Sequence, residues 1–326
     1  LTLNGRQGYI ENKQEGLTVR LITRSDFDGL VCAVLLEEIG LIDDYKFVHP
    51  KDVQDGLVEV SRNDVVANVP YVAGCGLWFD HHSSETERLN SGGALRFEGA
   101  SRLAPSCARV IYDHYGGPEK FRKFDEKGLM AAVDKSDSAD FSVEEILKPS
   151  GWVVLSFIMD ARTGLGRYRD YRISNIELMR DMIGYCRTLT VEEILVIPDV
   201  QERVRRYFAQ EAEYEAMIRK HTTTEGNLMV IDLRRVDELL SGNRFVEYAL
   251  FPDQNVSVRI IWGKGQQNIV LTVGHSIVNR TCRSDIGSLM LKYGGGGHRQ
   301  VGTCQVTLAE ADRVVREIVD HLKANG

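Results

Sequence analysis

An apolar run, Val19-Arg20-Leu21-Ile22-Thr23, breaks at Arg24-Ser25-Asp26-Phe27-Asp28-Gly29 and resumes as Leu30 to Leu36 before Gly40. The first run reads as a buried strand, the second as a buried helix stopped by glycine. A strand that feeds a helix through so short a loop is the opening unit of a parallel sheet, because parallel neighbours need a crossover. Candidate strands follow at Tyr45–Val48, Asp64–Val69 and Leu77–Phe79. Ser106–Tyr115, with Pro105 ahead and Gly116-Gly117-Pro118 behind, predicts a helix, and Phe121–Val133 predicts a second. Strands alternating with helices predict an α/β fold whose ligands bind beyond the carboxyl ends of the strands.

The texture changes in the second half. Thr190–His221 is helical in pattern, with dense charge beside a thin apolar stripe, and reads as a connector. Leu228–Leu233, Arg244–Leu250, Val256–Trp262 and Asn268–Val273 are β-rich runs, followed by helical segments at Ser284–Lys292 and Ala309–Leu322. At 326 residues the chain suits two domains. The expected division is a parallel-sheet domain over 1–188, a helical linker over 189–225 and a smaller mixed α/β domain over 226–326. The linker's stripe can pack within or between chains, which leaves a homodimer open.

Net charge is -7, which argues against a long track of phosphate contacts on double-stranded nucleic acid. The six cysteines are scattered without a CxxC pair, as in a reducing compartment. Leu1–Ile10 lacks the apolar stretch of a signal peptide, and no run reaches membrane-spanning length. A cytoplasmic protein is expected.

Three stretches can carry chemistry. Asp80-His81-His82, followed by Ser83-Ser84-Glu85, leaves a candidate strand with donors that suit divalent manganese, iron or zinc; the alternative is the exposed start of a turn. Asp26-Phe27-Asp28-Gly29 offers two carboxylates at a helix start; the alternative is simple capping. Gly294-Gly295-Gly296-Gly297-His298 can turn backbone N–H groups towards an anion, with Arg299 beside it and His275, Asn279 and Arg280 as further donors. The alternatives are a glycine hinge and a structural His275. Asp134, Asp137 and Asp140 are acidic residues spaced by three. Asp137 and Asp140 read as a solvated loop, whereas Asp134 gains from following Ala131-Ala132-Val133 directly.

In this order, these motifs resemble the DHH/DHHA1 phosphoesterase superfamily, which includes exopolyphosphatase-related and oligoribonuclease-like proteins. The resemblance rests on Asp26-Phe27-Asp28-Gly29, Asp80-His81-His82, Asp134 ahead of Phe141, and Gly294–His298, and spans nearly the whole chain. It implies a DHH-type catalytic domain and a DHHA1-type substrate-binding domain flanking an active cleft. It also implies Mn²⁺ as cofactor, one or two ions, and hydrolysis of a phosphodiester, phosphomonoester or phosphoanhydride bond. The substrate would be small: a short oligonucleotide, a nucleotide or polyphosphate. By resemblance Asp26, Asp28, His81 and Asp134 hold metal, His82 lies at the scissile phosphate, and Asp80 orients a histidine. Gly295, Gly296, Gly297, His298, Arg299 and Arg280 grip the substrate.

Two positions depart from the family pattern. No histidine precedes Asp26; the stretch reads Ile22-Thr23-Arg24-Ser25. Where an aspartate normally ends the third strand stands Asn68, with Asp64 at the wrong end. Arg24 is the candidate to form an ion pair where a metal would otherwise sit. The alternative function is therefore a catalytically impaired phosphate- or nucleotide-binding protein of the same fold.

Overall fold

Five strands lie side by side in the order β2-β1-β3-β4-β5, all parallel. They are β1 (Arg20–Arg24), β2 (Asp44–Val48), β3 (Asp64–Ala67), β4 (Leu77–Asp80) and β5 (Gly99–Ser101). The computed structural model describes residues 18–82 and 97–325. Leu1–Ile10 and Ser83–Glu85, discussed above, lie outside the described residues. The chain divides into two compact units. One holds the residues up to Asp140 with Ser150–Ala161 and Leu165–Val204; the other holds Phe141–Pro149, Arg162–Gly164 and the chain from Arg205.

In the first unit every residue of β3 and β4 is buried, as expected for parallel strands covered on both faces. Helix α1 (Phe27–Glu38) is buried without a break from Phe27 to Leu36 and has no polar stripe, so it belongs inside rather than on a surface. The strand order reverses direction between β1 and β3. That makes their carboxyl ends the switch-point crevice where α/β sheets take ligands. The Arg24–Asp28 turn, Asn68 and Asp80–His82 all leave the sheet at that edge.

Phe121–Val133 is two helices, not one. Pro118–Glu126 and Leu129–Asp137 are separated at Gly128, whose φ of +73° no helix accommodates. The second helix runs three residues past Asp134, and this decides which acid faces the crevice.

The second unit is built on a mixed sheet in the order β10-β11-β9-β8-β7-β6. Its strands are β6 (Thr222–Glu225), β7 (Leu228–Asp232), β8 (Val256–Trp262), β9 (Ile269–His275), β10 (Gly296–His298) and β11 (Val301–Val306). Only β7 and β8 pair in parallel among these strands. Leu228, Val258, Ile260, Leu271 and Val273 bury against Ile286, Leu289, Ile318 and Leu322 of two covering helices. The β-rich run at Arg244–Leu250 folds instead as a helix, Val246–Leu250. Its Val246, Tyr248 and Ala249 are buried, and local β propensity yields to that packing.

Candidate active site

Asp26 and Asp28 leave β1 two residues apart but do different work. Asp26 is the N-cap of α1, with its Oδ1 accepting from the Gly29 N–H at 2.9 Å. The same oxygen accepts from the side-chain amide of Asn68 at 3.0 Å. Its Oδ2 accepts from Arg24 Nε at 2.9 Å. Asp28 points the other way, into the protein. Oδ2 accepts from the Cys107 N–H at 2.9 Å and Oδ1 from the Ala108 N–H at 2.8 Å, both at the start of the helix Cys107–His114. Behind it lies the Cys32 thiol, 3.9 Å from Oδ1. Burial pushes the Cys107 thiol up to about 12 and the Cys32 thiol up as well, so both stay neutral.

Gly29 is required for this turn. A Cβ there would stand 2.0 Å from the Arg24 carbonyl oxygen and 2.8 Å from Thr23 Oγ1. No rotamer relieves a clash with backbone, so only glycine lets α1 start this close to β1.

Asp80 ends β4 completely buried, and its Oδ1 accepts from His82 Nδ1 at 2.9 Å. The His81 ring lies against that of His82, with centroids 4.2 Å apart, but takes other partners. Its Nδ1 lies 3.1 Å from the Ala104 carbonyl oxygen, an acceptor only, so Nδ1 carries the hydrogen. Whenever the ring is neutral, Nε2 is a lone pair. It is buried, has no hydrogen-bond partner among the described residues, and faces Asp137 Oδ2 at 3.1 Å and Asp28 Oδ2 at 3.8 Å. Ligand atoms of Asp28, His81 and Asp137 all lie within 4.8 Å of one another.

Two carboxylates this close repel when both are ionised. Burial first, then Asp137 and Asp26, push Asp28 well above the usual carboxylate range, against the pull of the two backbone N–H groups. Asp137 is raised too, chiefly by desolvation, although His81 opposes the shift. One nitrogen and two carboxylate oxygens suit a divalent cation, and the bare Nε2 is the atom such an ion would satisfy.

Asp134, expected among the metal ligands, lies elsewhere. Its Oδ1 accepts from Ser106 Oγ at 2.7 Å and its Oδ2 from Arg109 Nη2 at 2.6 Å and Nε at 2.9 Å. Ser106 is the N-cap of Cys107–His114. Asp134 therefore clasps the helix start that holds Asp28, and Asp137, expected as a solvated acid, is the carboxylate that faces His81 Nε2. Asp64 is structural, bound to Arg20 Nε at 2.7 Å and to Ser61.

The glycine tetrad in the second unit is only partly bared. The Gly294 and Gly295 N–H groups donate to Leu291 and Met290 carbonyls, closing the helix Ile286–Leu291. A Cβ on Gly295 would stand 2.2 Å from the Thr303 carbonyl oxygen, and one on Gly297 2.2 Å from that of Val301. At Gly296 an added Cβ meets nothing within 4 Å. Gly296–His298 forms β10, the edge strand, and His298, Arg299 and Arg280 are exposed. His275 lies 2.9 Å from the Ser284 carbonyl oxygen through Nε2, a structural contact.

No family model and no curated protein matches the chain. Solved structures do. A pGpG-specific phosphodiesterase, PggH from Vibrio cholerae, is 47% identical over 95% of this chain and all of that one, with a TM-score of 0.81. The DHH domain of a member of a ribosomal-protein family shares 13% identity over 96% of this chain and 88% of that one, at TM-score 0.56. The Mn²⁺ complex of RecJ from Thermus thermophilus shares 14% over 98% of this chain and 54% of that one, also at 0.56. The last two are likenesses of fold alone. The chain belongs to the DHH/DHHA1 phosphoesterase superfamily.

Proposed function

We propose that this protein hydrolyses the phosphodiester bond of a short linear dinucleotide, pGpG first among them, with Mn²⁺ held by Asp28, His81 and Asp137. The observation that carries the reading is the buried, bare Nε2 of His81 between two carboxylates. The 47% identity to a pGpG-specific phosphodiesterase supports the substrate class. The chain's acidic balance favours a short substrate over a long one.

When bound, the ion acidifies water and neutralises charge on the phosphate. The remaining work falls to side chains. Hydrolysis adds the hydroxyl of water to phosphorus, breaks the bond to the ribose 3′ oxygen, and returns a proton to that oxygen. His82 is assigned the proton transfer at Nε2, because its Nδ1 is fixed by Asp80. The Cys107 and Ala108 N–H groups hold Asp28 in place. Gly296, Gly297 and His298, with Arg299 and Arg280, are assigned to substrate binding; Gly295 is assigned to packing.

Incubation with Mn²⁺ and pGpG, cyclic diguanylate, adenosine bisphosphate or polyphosphate tests the reading. Conversion of pGpG to two 5′-mononucleotides is expected. Turnover no greater than that of His81→Ala on every substrate refutes hydrolysis and favours a binding protein.

A further inference from the structure

The acids at the carboxyl edge of the first sheet fall into two sets with opposite needs. Asp28 and Asp137 face a bare imidazole nitrogen, and among the described residues no lysine or arginine pairs with either of them, so they call for an ion. Asp26 is already answered. Three donors engage its two oxygens: the Gly29 N–H, the Asn68 amide and the Arg24 guanidinium. The orientation of Asn68 follows from its partner, since a carboxylate oxygen only accepts and must meet the NH₂ end. A second ion near Asp26 would meet the NH₂ hydrogens of a neutral amide that offers it no lone pair on that side, and the cationic guanidinium.

Arg24 is also placed to act outwards. Its side chain is 35% exposed while Asp26 is 14% exposed, so the pair is anchored inside and open outside. The guanidinium spends Nε on Asp26, and its planar fork carries further N–H groups suited to phosphate oxygens. Arg24 lies within electrostatic reach of Asp137, as do His82 and Asp26, so the charge belongs to the same centre.

We infer that this centre is built for one divalent ion, and that Arg24, held by Asp26, which Asn68 braces in turn, supplies a second cationic group directly to the scissile phosphate. The inference rests on the phosphodiesterase reading and deepens it. A guanidinium meets the phosphate through hydrogen bonds but cannot acidify water, so activation of the nucleophile stays with the single ion.

The test is Mn²⁺ stoichiometry of the full chain by calorimetry, checked by metal analysis after desalting. One ion per chain is expected for the unsubstituted protein, and two for the double variant Arg24→His with Asn68→Asp. Arg24→Ala should keep the single ion with its affinity essentially unchanged. Its kcat/KM should fall by about 10²–10³-fold, the loss of one transition-state donor. Its binding of inorganic phosphate to the Mn²⁺-loaded protein should weaken by about tenfold, as loss of one charged contact of about 1.4 kcal/mol predicts. Two tightly bound ions in the unsubstituted chain would overturn the inference and leave the phosphodiesterase reading standing. So would phosphate binding indifferent to Arg24→Ala. No bound ion at all would overturn the reading itself. The stoichiometry of the unsubstituted chain decides the matter even should a variant fold poorly.

Discussion

Nε2 of His81 stands 3.1 Å from Oδ2 of Asp137, with Nδ1 committed to the Ala104 carbonyl on the far side of the ring. An ion held by these residues would offset the repulsion between the carboxylates, and would therefore stabilise the fold. At one hundred times its dissociation constant, Mn²⁺ should add about 2.7 kcal/mol to unfolding free energy. His81→Ala should abolish that increment and lower kcat/KM by about a thousandfold or more, the several kcal/mol of one Lewis-acid contact. Thermal melts with and without Mn²⁺ check it, and an equal rise in Tm for the variant would contradict it.

The ion must also displace protons. Asp28 is held well above the usual carboxylate value and Asp137 is raised too, so without an ion each gives up its proton later than a free carboxyl as pH rises. Affinity for Mn²⁺ should therefore fall on acidification, beginning above the usual carboxylate value of about 4. The sign for stability is the reverse. A carboxyl raised on folding stabilises the ion-free fold below its unfolded pKa and loses that contribution as pH rises through its folded value. Calorimetry in buffers of different ionisation enthalpy should show proton release on Mn²⁺ binding at mildly acidic pH. Affinity independent of pH would count against the assignment.

Asp134 and Asp137 should separate cleanly. Asp134→Ala strands Ser106 and Arg109 and loosens the helix start behind Asp28. A stability loss of about 1–3 kcal/mol is expected, as for other broken charged networks. Ion affinity should weaken about 10–100-fold, the scale for a residue that orients a ligand. Asp137→Ala removes a ligand and relieves repulsion, so ion binding should vanish while stability in a chelator holds or rises. Denaturant titrations in chelator, paired with calorimetry, read both effects.

Asp80→Asn should leave the ion in place and slow the reaction. Asparagine can offer its NH₂ group to His82 Nδ1 and so favour the other tautomer. A drop in kcat of about 10²–10⁴-fold is expected, the range for misplaced general acid–base catalysis. Unchanged Mn²⁺ stoichiometry distinguishes this from loss of the centre.

The glycines of the second unit should also divide. Gly295→Ala drives a carbon into the Thr303 carbonyl and should destabilise by about 1–3 kcal/mol or more. Gly296→Ala meets open space, so Tm should hold while KM for pGpG rises. Equal destabilisation by both would show that the segment serves packing alone.

The catalytic-side sheet was legible in sequence because its buried strands and α1 are unbroken apolar runs. β5, three residues long, offered no such run. The choice between Asp134 and Asp137 was not legible. One helical turn apart, they differ by what meets them, and Ser106 and Arg109 lie more than twenty residues away in the chain. The tetrad looked like bare backbone, although the helix Ile286–Tyr293 reads as ending at those glycines, because sequence does not show which of their N–H groups that ending consumes. Asn68 and the missing histidine did stand out, because an amide or an arginine in place of a ligand changes charge wherever it lies.

Gly29 sets which properties of this centre are open to change. Arg24 and Asn68 each meet Asp26 through side-chain atoms, and either can be exchanged while the turn keeps its path. Position 29 admits not one added carbon. The path of the turn hangs on that one glycine, whereas the charge presented at its rim hangs on Arg24 and Asn68.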